Sequence, residues 1–371
     1  MQVTIQRATL LHTLQMISGV VEKRQTIPVL ANVLIDVTSE CVTLTATDLE
    51  IELIGRVIPD EVVTPGKITV SARKLLDISR ALPEKAMISL TLEKEQLILR
   101  SGKSRYQLTT LPAEDFPNTG ECSFKTELTF KQSQFKKLLS KVHFAMGQQD
   151  VRHYLNGALF DINQGVMKCV ATDGHRLALS SIDYDEKLVA NDTGAKIILP
   201  RKSVLELLRL LDGNSDNDIK ISIGDNHFRV TGVDYVFTSK LISAAYPDYT
   251  KLIPRSITNL ASASREALKH ALVRASILSN EKFRGIRCQL EKNSLRIVAN
   301  NPEQEEAEEI IALEYDGDEF EIGFNAAYLL DAVSALTSES IRWSFNDPNG
   351  GVLIESGEKD NTVYVVMPMR L

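Results

Sequence analysis

Three stretches of the chain space apolar residues four and then three apart: Leu10, Leu14 and Ile17; Phe135, Leu139 and Val142; Leu268, Leu272 and Ala275. Such a stripe predicts a helix with one buried face. Further along come three runs of 13 residues, 70–82, 199–211 and 324–336, each ending on leucine. They share an apolar pair followed by an acid, as Leu75, Leu76 and Asp77, then Val204, Leu205 and Glu206, then Leu329, Leu330 and Asp331. A second helix in each unit is expected there. Residues 88–99, 219–230 and 362–366 alternate with period two, the pattern of half-buried strands. A strand closing on a small-residue turn also recurs, as VTLTATD at 42–48, KCVATDG at 168–174 and RIVANNP at 296–302. Placing Ala46, Ala171 and Ala299 in register gives spacings of 125 and 128.

The same elements in the same order mean that the 371 residues hold three copies of one unit of about 124. Pro-containing tails at 111–117 and 245–249 put the boundaries near 125 and 254, giving domains 1–125, 126–254 and 255–371. Each unit has two helices and several alternating strands, so an α+β fold is expected, with each helix pair packed on antiparallel sheet.

At 43% hydrophobic and 25% charged, with 19 Gly and 12 Pro, the composition is that of a globular protein and excludes collagen-like and disordered classes. No window approaches the roughly 18 to 20 apolar residues of a membrane span, and Met1 to Arg7 lacks a basic region followed by an apolar run, so a soluble cytoplasmic protein is expected. Cys41, Cys122, Cys169 and Cys288 are far apart, with no CxxC pair or adjacent His, and indicate buried thiols rather than a metal site or disulfides.

The formal charge of −7 alone speaks against nucleic acid. Its distribution reverses the inference. The first helices carry +2 (Arg7, Lys23 and Arg24 against Glu22), +4 (Lys131, Lys136, Lys137 and Lys141) and +2 (Arg265, Lys269 and Arg274 against Glu266). The second carry +2 (Arg73, Lys74, Arg80 and Lys85 against Asp77 and Glu84), +2 (Arg201, Lys202 and Arg209 against Glu206) and −1 (Asp331). The helices together hold +11 and the remainder −18. If the helices share one side, that side can meet a polyanion while the acidic remainder faces water. No groove-reading motif and no base-stacking aromatics accompany the lysines, so sequence-specific readout is not expected. Six helices side by side at about 10 Å span only about 60 Å. Two chains give about 120 Å and a hole of about 28 Å, enough for a duplex roughly 20 Å wide.

The three-fold repeat, ATDGHRLAL at 171–179, SNEKFRG at 279–285 and YVVMPMRL at 364–371 resemble the bacterial replicative sliding clamps, the beta subunit of DNA polymerase III. The resemblance covers the whole chain. It implies three clamp domains per chain and a head-to-tail homodimer forming a ring around duplex DNA, helices inside. It also implies loading by a clamp loader, tethering of the polymerase alpha subunit and other proteins carrying clamp-motif peptides, and neither catalysis nor a cofactor. Carried over to this sequence, the peptide cleft comprises Leu155, Thr172, Gly174, His175, Arg176, Leu177, Pro247 and Leu252, with Lys251 at its rim. Phe283, Asn325 and Tyr328 join it, and Val365, Val366, Met367, Pro368, Met369 and Arg370 complete it. Adaptable Met side chains and aliphatic walls suit a short apolar peptide, which Arg176, His175 and the backbone would orient. For DNA the resemblance points to Arg24, Arg73, Gln149, His153 and Tyr154, with Lys136, Lys137, Arg201 and Lys202 on the inner helices.

The subunit interface should join the first unit of one chain to the third of the other. Glu303, Glu305, Glu306, Glu308 and Glu309, in a block placed between strands, would face Lys74, Arg100, Lys103 and Arg105. Tyr106, Leu108, Ile277 and Leu278 would form its dry centre. Two other classes compete. A nucleotide-using or hydrolytic enzyme is prompted by Gly102, Lys103 and Ser104 and by Asp173 with His175, but a P-loop needs glycine where Leu97 stands. A three-domain scaffold without ring closure would keep the repeat alone.

Overall fold

A computed structural model describes the chain apart from residues 22–26, 118, 119, 121, 186–193, 255, 256, 359 and 371. Each repeat runs strand, helix, strands, helix, three strands. The first is β1 (Gln2–Gln6), α1 (Arg7–Ile17), β2 (Asn32–Val37), β3 (Val42–Thr47), β4 (Ile51–Val57), β5 (Glu61–Thr64), β6 (Gly66–Ser71), α2 (Ala72–Ala81), β7 (Met87–Glu93), β8 (Gln96–Ser101) and β9 (Ser104–Leu111). The second is β10 (Thr126–Lys131), α3 (Gln132–Ser140), β11 (Gly157–Asn163), β12 (Val166–Thr172), β13 (Arg176–Asp183), β14 (Ala195–Pro200), α4 (Arg201–Leu210), β15 (Asp218–Ile223), β16 (His227–Thr231) and β17 (Tyr235–Lys240). The third is β18 (Asn259–Ser264), α5 (Arg265–Ser276), β19 (Gly285–Glu291), β20 (Ser294–Asn300), β21 (Glu306–Ala312), β22 (Phe320–Asn325), α6 (Ala326–Ala335), β23 (Ser340–Phe345), β24 (Val352–Ser356) and β25 (Thr362–Val366). Among the described residues, only β5 has no counterpart in the other two.

All nine stripe residues of the first helices are at most 1% exposed. Burying each large aliphatic or aromatic among them stabilises the fold by roughly 1.5–3 kcal/mol. The thirteen-residue runs are not wholly helical, because their first two residues finish β6, β14 and β22 and the helix starts on the third. Two of these strand ends cap the helix that follows: Ser71 Oγ accepts from Lys74 N, and Asn325 Oδ1 from Ala327 N and Tyr328 N. Helix α2 stops where Leu82, extended, precedes Pro83.

These boundaries reduce the helix charge. Residues 22–24 lie outside the described residues and beyond the end of α1, Lys131 ends β10, Lys141 follows α3, and Glu84 and Lys85 follow α2. Helices α1 to α6 carry +1, +2, +2, +2, +2 and −1, a net +8 rather than +11. The sign survives the correction.

The chain forms two compact units, one of the described residues in 1–133 and 209–241, the other of those in 134–185, 194–208 and 242–370. In the first, thirteen strands make one sheet, in the order β10-β15-β16-β17-β4-β3-β2-β6-β9-β8-β7-β1-β5. The second unit has an eight-stranded sheet, β14-β11-β12-β13-β25-β24-β23-β18, and a four-stranded one, β21-β20-β19-β22. Helix α1 packs on α2, β3 and β4, and α5 packs on α6, β20 and β21. Among the described residues no helix is long and apolar enough to cross a membrane. All four cysteines are free thiols, and burial alone pushes Cys288 up to about 12.

Candidate functional site: an apolar groove built on a repeated turn

The turn from β12 to β13 is held by its own side chains. Thr172 Oγ1 donates to Arg176 O at 2.6 Å, and Asp173 Oδ1 accepts from His175 N and Arg176 N at 2.9 and 3.0 Å. Gly174 has φ +88°, a left-handed conformation that favours glycine, and a Cβ there would lie 3.1 Å from the Arg152 guanidinium. Arg152 is itself fixed by Asp150, through Nε–Oδ1 at 3.0 Å and Nη2–Oδ2 at 2.8 Å, which holds the Asp150 carboxyl at about 2.

The turn places Arg176 at a junction of four elements. Its Nε reaches Asp173 Oδ2 at 3.0 Å, Nη1 reaches Asp331 Oδ2 on α6 at 2.5 Å, and Nη2 donates to Phe144 O at 2.6 Å. The guanidinium carbon lies 4.4 Å from the Tyr328 ring centroid and 5.3 Å from that of Phe144. On its other side Tyr328 stacks with His175, centroids 6.3 Å apart and planes 20° apart. Three side-chain hydrogen bonds within the chain thus fix the Arg176 guanidinium beside Tyr328.

Beside this stack lies an apolar cluster in which Leu177 and Val365 pack with Leu159, Val170, Ile198, Tyr249 and Leu353. Leu155 and Val366 are also buried, so these expected cleft residues form floor rather than surface. Of the other expected cleft residues, Phe283 is 56%, Leu252 45% and Met367 39% exposed, with His175, Pro247 and Arg370 also exposed. Lys251 is exposed at the rim, 3.6 Å from Asp248. The terminal strap is anchored at both ends, Met367 N donating to His175 O and Met369 N to Gly323 O, each at 2.9 Å, with Pro368 half-buried between them. Asn325 is a structural tie rather than a wall: besides capping α6, its Nδ2 donates to Phe283 O at 3.2 Å. Thr172 likewise builds the turn.

The first repeat contains the same turn in polar form. Thr47 Oγ1 donates to Ile51 O at 2.7 Å, Asp48 Oδ1 accepts from Glu50 N and Ile51 N, and Leu49 has φ 76°. Lys240 N donates to Glu50 O at 2.9 Å, as Met367 N does to His175 O. The cross-strand pair Leu177 and Val365 is replaced there by Glu52 and Thr238, and Met367 by Lys240. One template thus carries apolar residues at β13–β25 where it carries polar ones at β4–β17.

The expected DNA contacts divide. Arg73, Lys137, Lys202, Gln149 and His153 are exposed, Lys136 is half-buried, and Arg24 lies outside the described residues. Tyr154 is half-buried: it packs against the apolar cluster of Leu159, Val170 and Leu177, its ring 6.2 Å from that of Tyr246 at 71°. Arg201 is also withdrawn, its Nη1 donating to His143 O and Met146 O.

The expected interface also changes. Glu306, Glu308 and Glu309 lie on β21 itself, not between strands. Glu308 pairs with Arg296 at 2.7 Å and Glu309 with Arg274 at 2.5 Å, hydrogen bonds that lower both carboxyl pKa values. Glu303 and Glu305 are exposed in the preceding loop, where Glu305 accepts from Asn301. Leu108 is buried in its own repeat, whereas Tyr106 and Leu278 are half-buried and Ile277 is 74% exposed. Lys74, Lys103 and Arg105 are exposed, and Arg100 is 3.8 Å from Glu93. Gly102 and Lys103 form the β8–β9 hairpin turn and Ser104 starts β9, so a strand rather than a helix follows the turn. Phe144, Arg152 and Asp331 were not legible as site residues, and Asp173 was singled out only for the enzyme reading. The acid of α6 recurs in α2 and α4, so its pattern reads as repeat structure.

Comparison with known proteins adds a finding of another kind. Residues 1–120, 129–248 and 250–370 match the N-terminal, central and C-terminal domains of the DNA polymerase III beta subunit. The chain is 47% identical to the beta sliding clamp of Pseudomonas aeruginosa and 46% to that of Escherichia coli K12, each over 100% of both chains. Its fold is similar to that of the Pseudomonas aeruginosa clamp solved with bound griselimycin, with a TM-score of 0.96 at 47% identity over 100% of both chains.

Proposed function

Because the chain belongs to the DNA polymerase III beta subunit family, the bacterial sliding clamps, we propose that two copies close head to tail into a ring around duplex DNA. The ring tethers the polymerase alpha subunit, the clamp loader and other proteins by peptides seated in the β13–β25 groove. It is a processivity factor and not a catalyst. We place it in the cytoplasm and its domain boundaries at 125 and 254.

The observation that carries the ring is a pair of strand edges. Within each chain the last strand of one repeat adds to the fourth core strand of the repeat before it, β17 to β4 and β25 to β13. The equivalents left over are β9 and β21. From Ser104 to Thr109, β9 pairs only with β8, touching β6 at Thr110 and Leu111 alone, and β21 pairs within its sheet only with β20. Carrying the internal register across puts Ala307 opposite Tyr106 of a second copy and Glu308 opposite its Arg105. Exposed Ile277, Ile310 and Val273 supply apolar area beside that seam. Glu303, Glu305 and Glu306 meet Lys74, Lys103 and Arg105, while Glu308 and Glu309 remain braced by their own arginines.

Two such heterologous contacts close the ring. Arg73, Lys137, Lys202, Gln149 and His153 then make weak, salt-sensitive contacts directed at phosphate, as sliding requires. Sedimentation tests closure. The expected species at micromolar concentration has twice the chain mass of 41.2 kDa; a stable monomer overturns the ring.

A further inference from the structure

We propose that Asp331 is a positioning residue for the peptide groove, acting through Arg176 to hold Tyr328 and His175 as its polar wall. The inference rests on the groove reading above. Tyr328 and Asp331 sit one turn apart on α6, and the Arg176 guanidinium is held between them and the β12–β13 turn. Asp331 Oδ2 takes Nη1 at 2.5 Å, Asp173 Oδ2 takes Nε at 3.0 Å, and Phe144 O takes Nη2 at 2.6 Å. Three acceptors around one planar cation fix its plane as well as its place. The guanidinium carbon lies 4.4 Å from the Tyr328 centroid, and the His175 ring stacks with Tyr328 at 6.3 Å between centroids. The exposed imidazole is therefore the last member of a stack whose position is set from α6.

The chemistry separates Asp331 from the other two acceptors. Asp173 Oδ1 also holds the turn's backbone, and Phe144 contributes a main-chain carbonyl, so both are built into the fold. Asp331 is 44% exposed on its helix, and its one hydrogen bond among the described residues is the one to Arg176. In Asp331→Asn the side chain keeps its shape but loses its charge, and the guanidinium can turn toward Asp173. Tyr328 and His175 then lose their fixed positions while the apolar floor of Leu177 and Val365 stays in place. The counterpart acid in the first repeat, Asp77, faces Arg73 and Arg80 of its own helix at 3.7 and 3.8 Å and braces no groove.

The test uses the full-length protein and griselimycin, the compound bound to the Pseudomonas aeruginosa clamp in its solved structure. Affinity, melting temperature and the ring resonances of labelled histidine are measured for the parent, Asp331→Asn, Asp331→Glu and Phe283→Ala. The expectation is about tenfold weaker binding in Asp331→Asn, the size of one charge-assisted hydrogen bond. The melting temperature should not change, the His175 resonance should shift, and Asp331→Glu should recover most of the affinity. If Asp331→Asn binds like the parent while Phe283→Ala weakens binding, the positioning role is overturned and the groove stands. If neither weakens it, the groove reading falls and takes the role with it. Additive losses for Asp331→Asn and Arg176→Lys in the double variant also overturn the role, since two residues acting through one guanidinium cannot contribute independently.

Discussion

Lys141 ends up with one of the more demanding environments in the protein. Its side chain is 7% exposed, and Nζ lies 2.8 Å from both Asp360 carboxylate oxygens and 2.8 Å from Thr362 Oγ1, which in turn meets Ser180 Oγ at 3.2 Å. This latch joins the second repeat to the third where β25 adds to β13. The matching places between the first and second repeats are Met16, Gly55 and Tyr235, where a Cβ on Gly55 would strike Thr13 and Met16. One junction is thus closed by ions and the other by apolar packing. Burial pushes the Asp360 carboxyl up, but the hydrogen bonds and charge of Lys141 outweigh it, so its pKa lies below the ordinary value. A depressed carboxyl adds stability above its unfolded pKa, about 3.9, and loses it as pH falls through the folded value. Asp360→Asn should therefore cost about 3 kcal/mol at pH 7, toward the low end for breaking a buried pair. The gap between parent and variant in urea unfolding should close below about pH 4, and a gap independent of pH contradicts the ionic latch. None of this was legible in the sequence, where Lys141 reads as one more basic residue near a helix and Asp360 as part of a loop.

At the scale of helices and strands the sequence was more informative. The stripes through Leu10, Phe135 and Leu268 identify the first helices because a 3.6-residue period is local. Helix starts were misplaced by two residues because strand β6, β14 or β22 runs directly into the helix, and a buried strand end is as apolar as a helix face. Pairing between repeats could not be read, since β4 meets β17 and β13 meets β25 across nearly two hundred residues of chain. Those pairings are what single out β9 and β21 as edges. Replacing Ile277 and Leu278 together by Ala should weaken dimerisation, about tenfold or more for the apolar area removed, and an unchanged sedimentation profile counts against this seam. If partner peptides seat in the proposed groove, removing residues 367–371, of which Met367 and Met369 are tied to His175 and Gly323, should abolish polymerase-peptide binding yet leave the dimer intact. Retained affinity would contradict the groove.

For the molecule as a whole, net charge is the wrong quantity. The −7 of the full chain coexists with +8 on its helices, and only the second value bears on a polyanion. Three copies of one unit also explain why so much was visible at once: each repeat states the fold again, and differences between repeats mark where function lies. Leu177, Val365 and Met367 against Glu52, Thr238 and Lys240 set apolar against polar residues at matched places on one template. Ring closure is the central claim, and topology distinguishes it from ordinary affinity. The direct measurement is retention of the loaded protein on circular DNA, before and after one cut, at a salt concentration that screens phosphate contacts. A linked ring stays on the closed circle and runs off once ends are made. Equal loss from circular and linear DNA would contradict it.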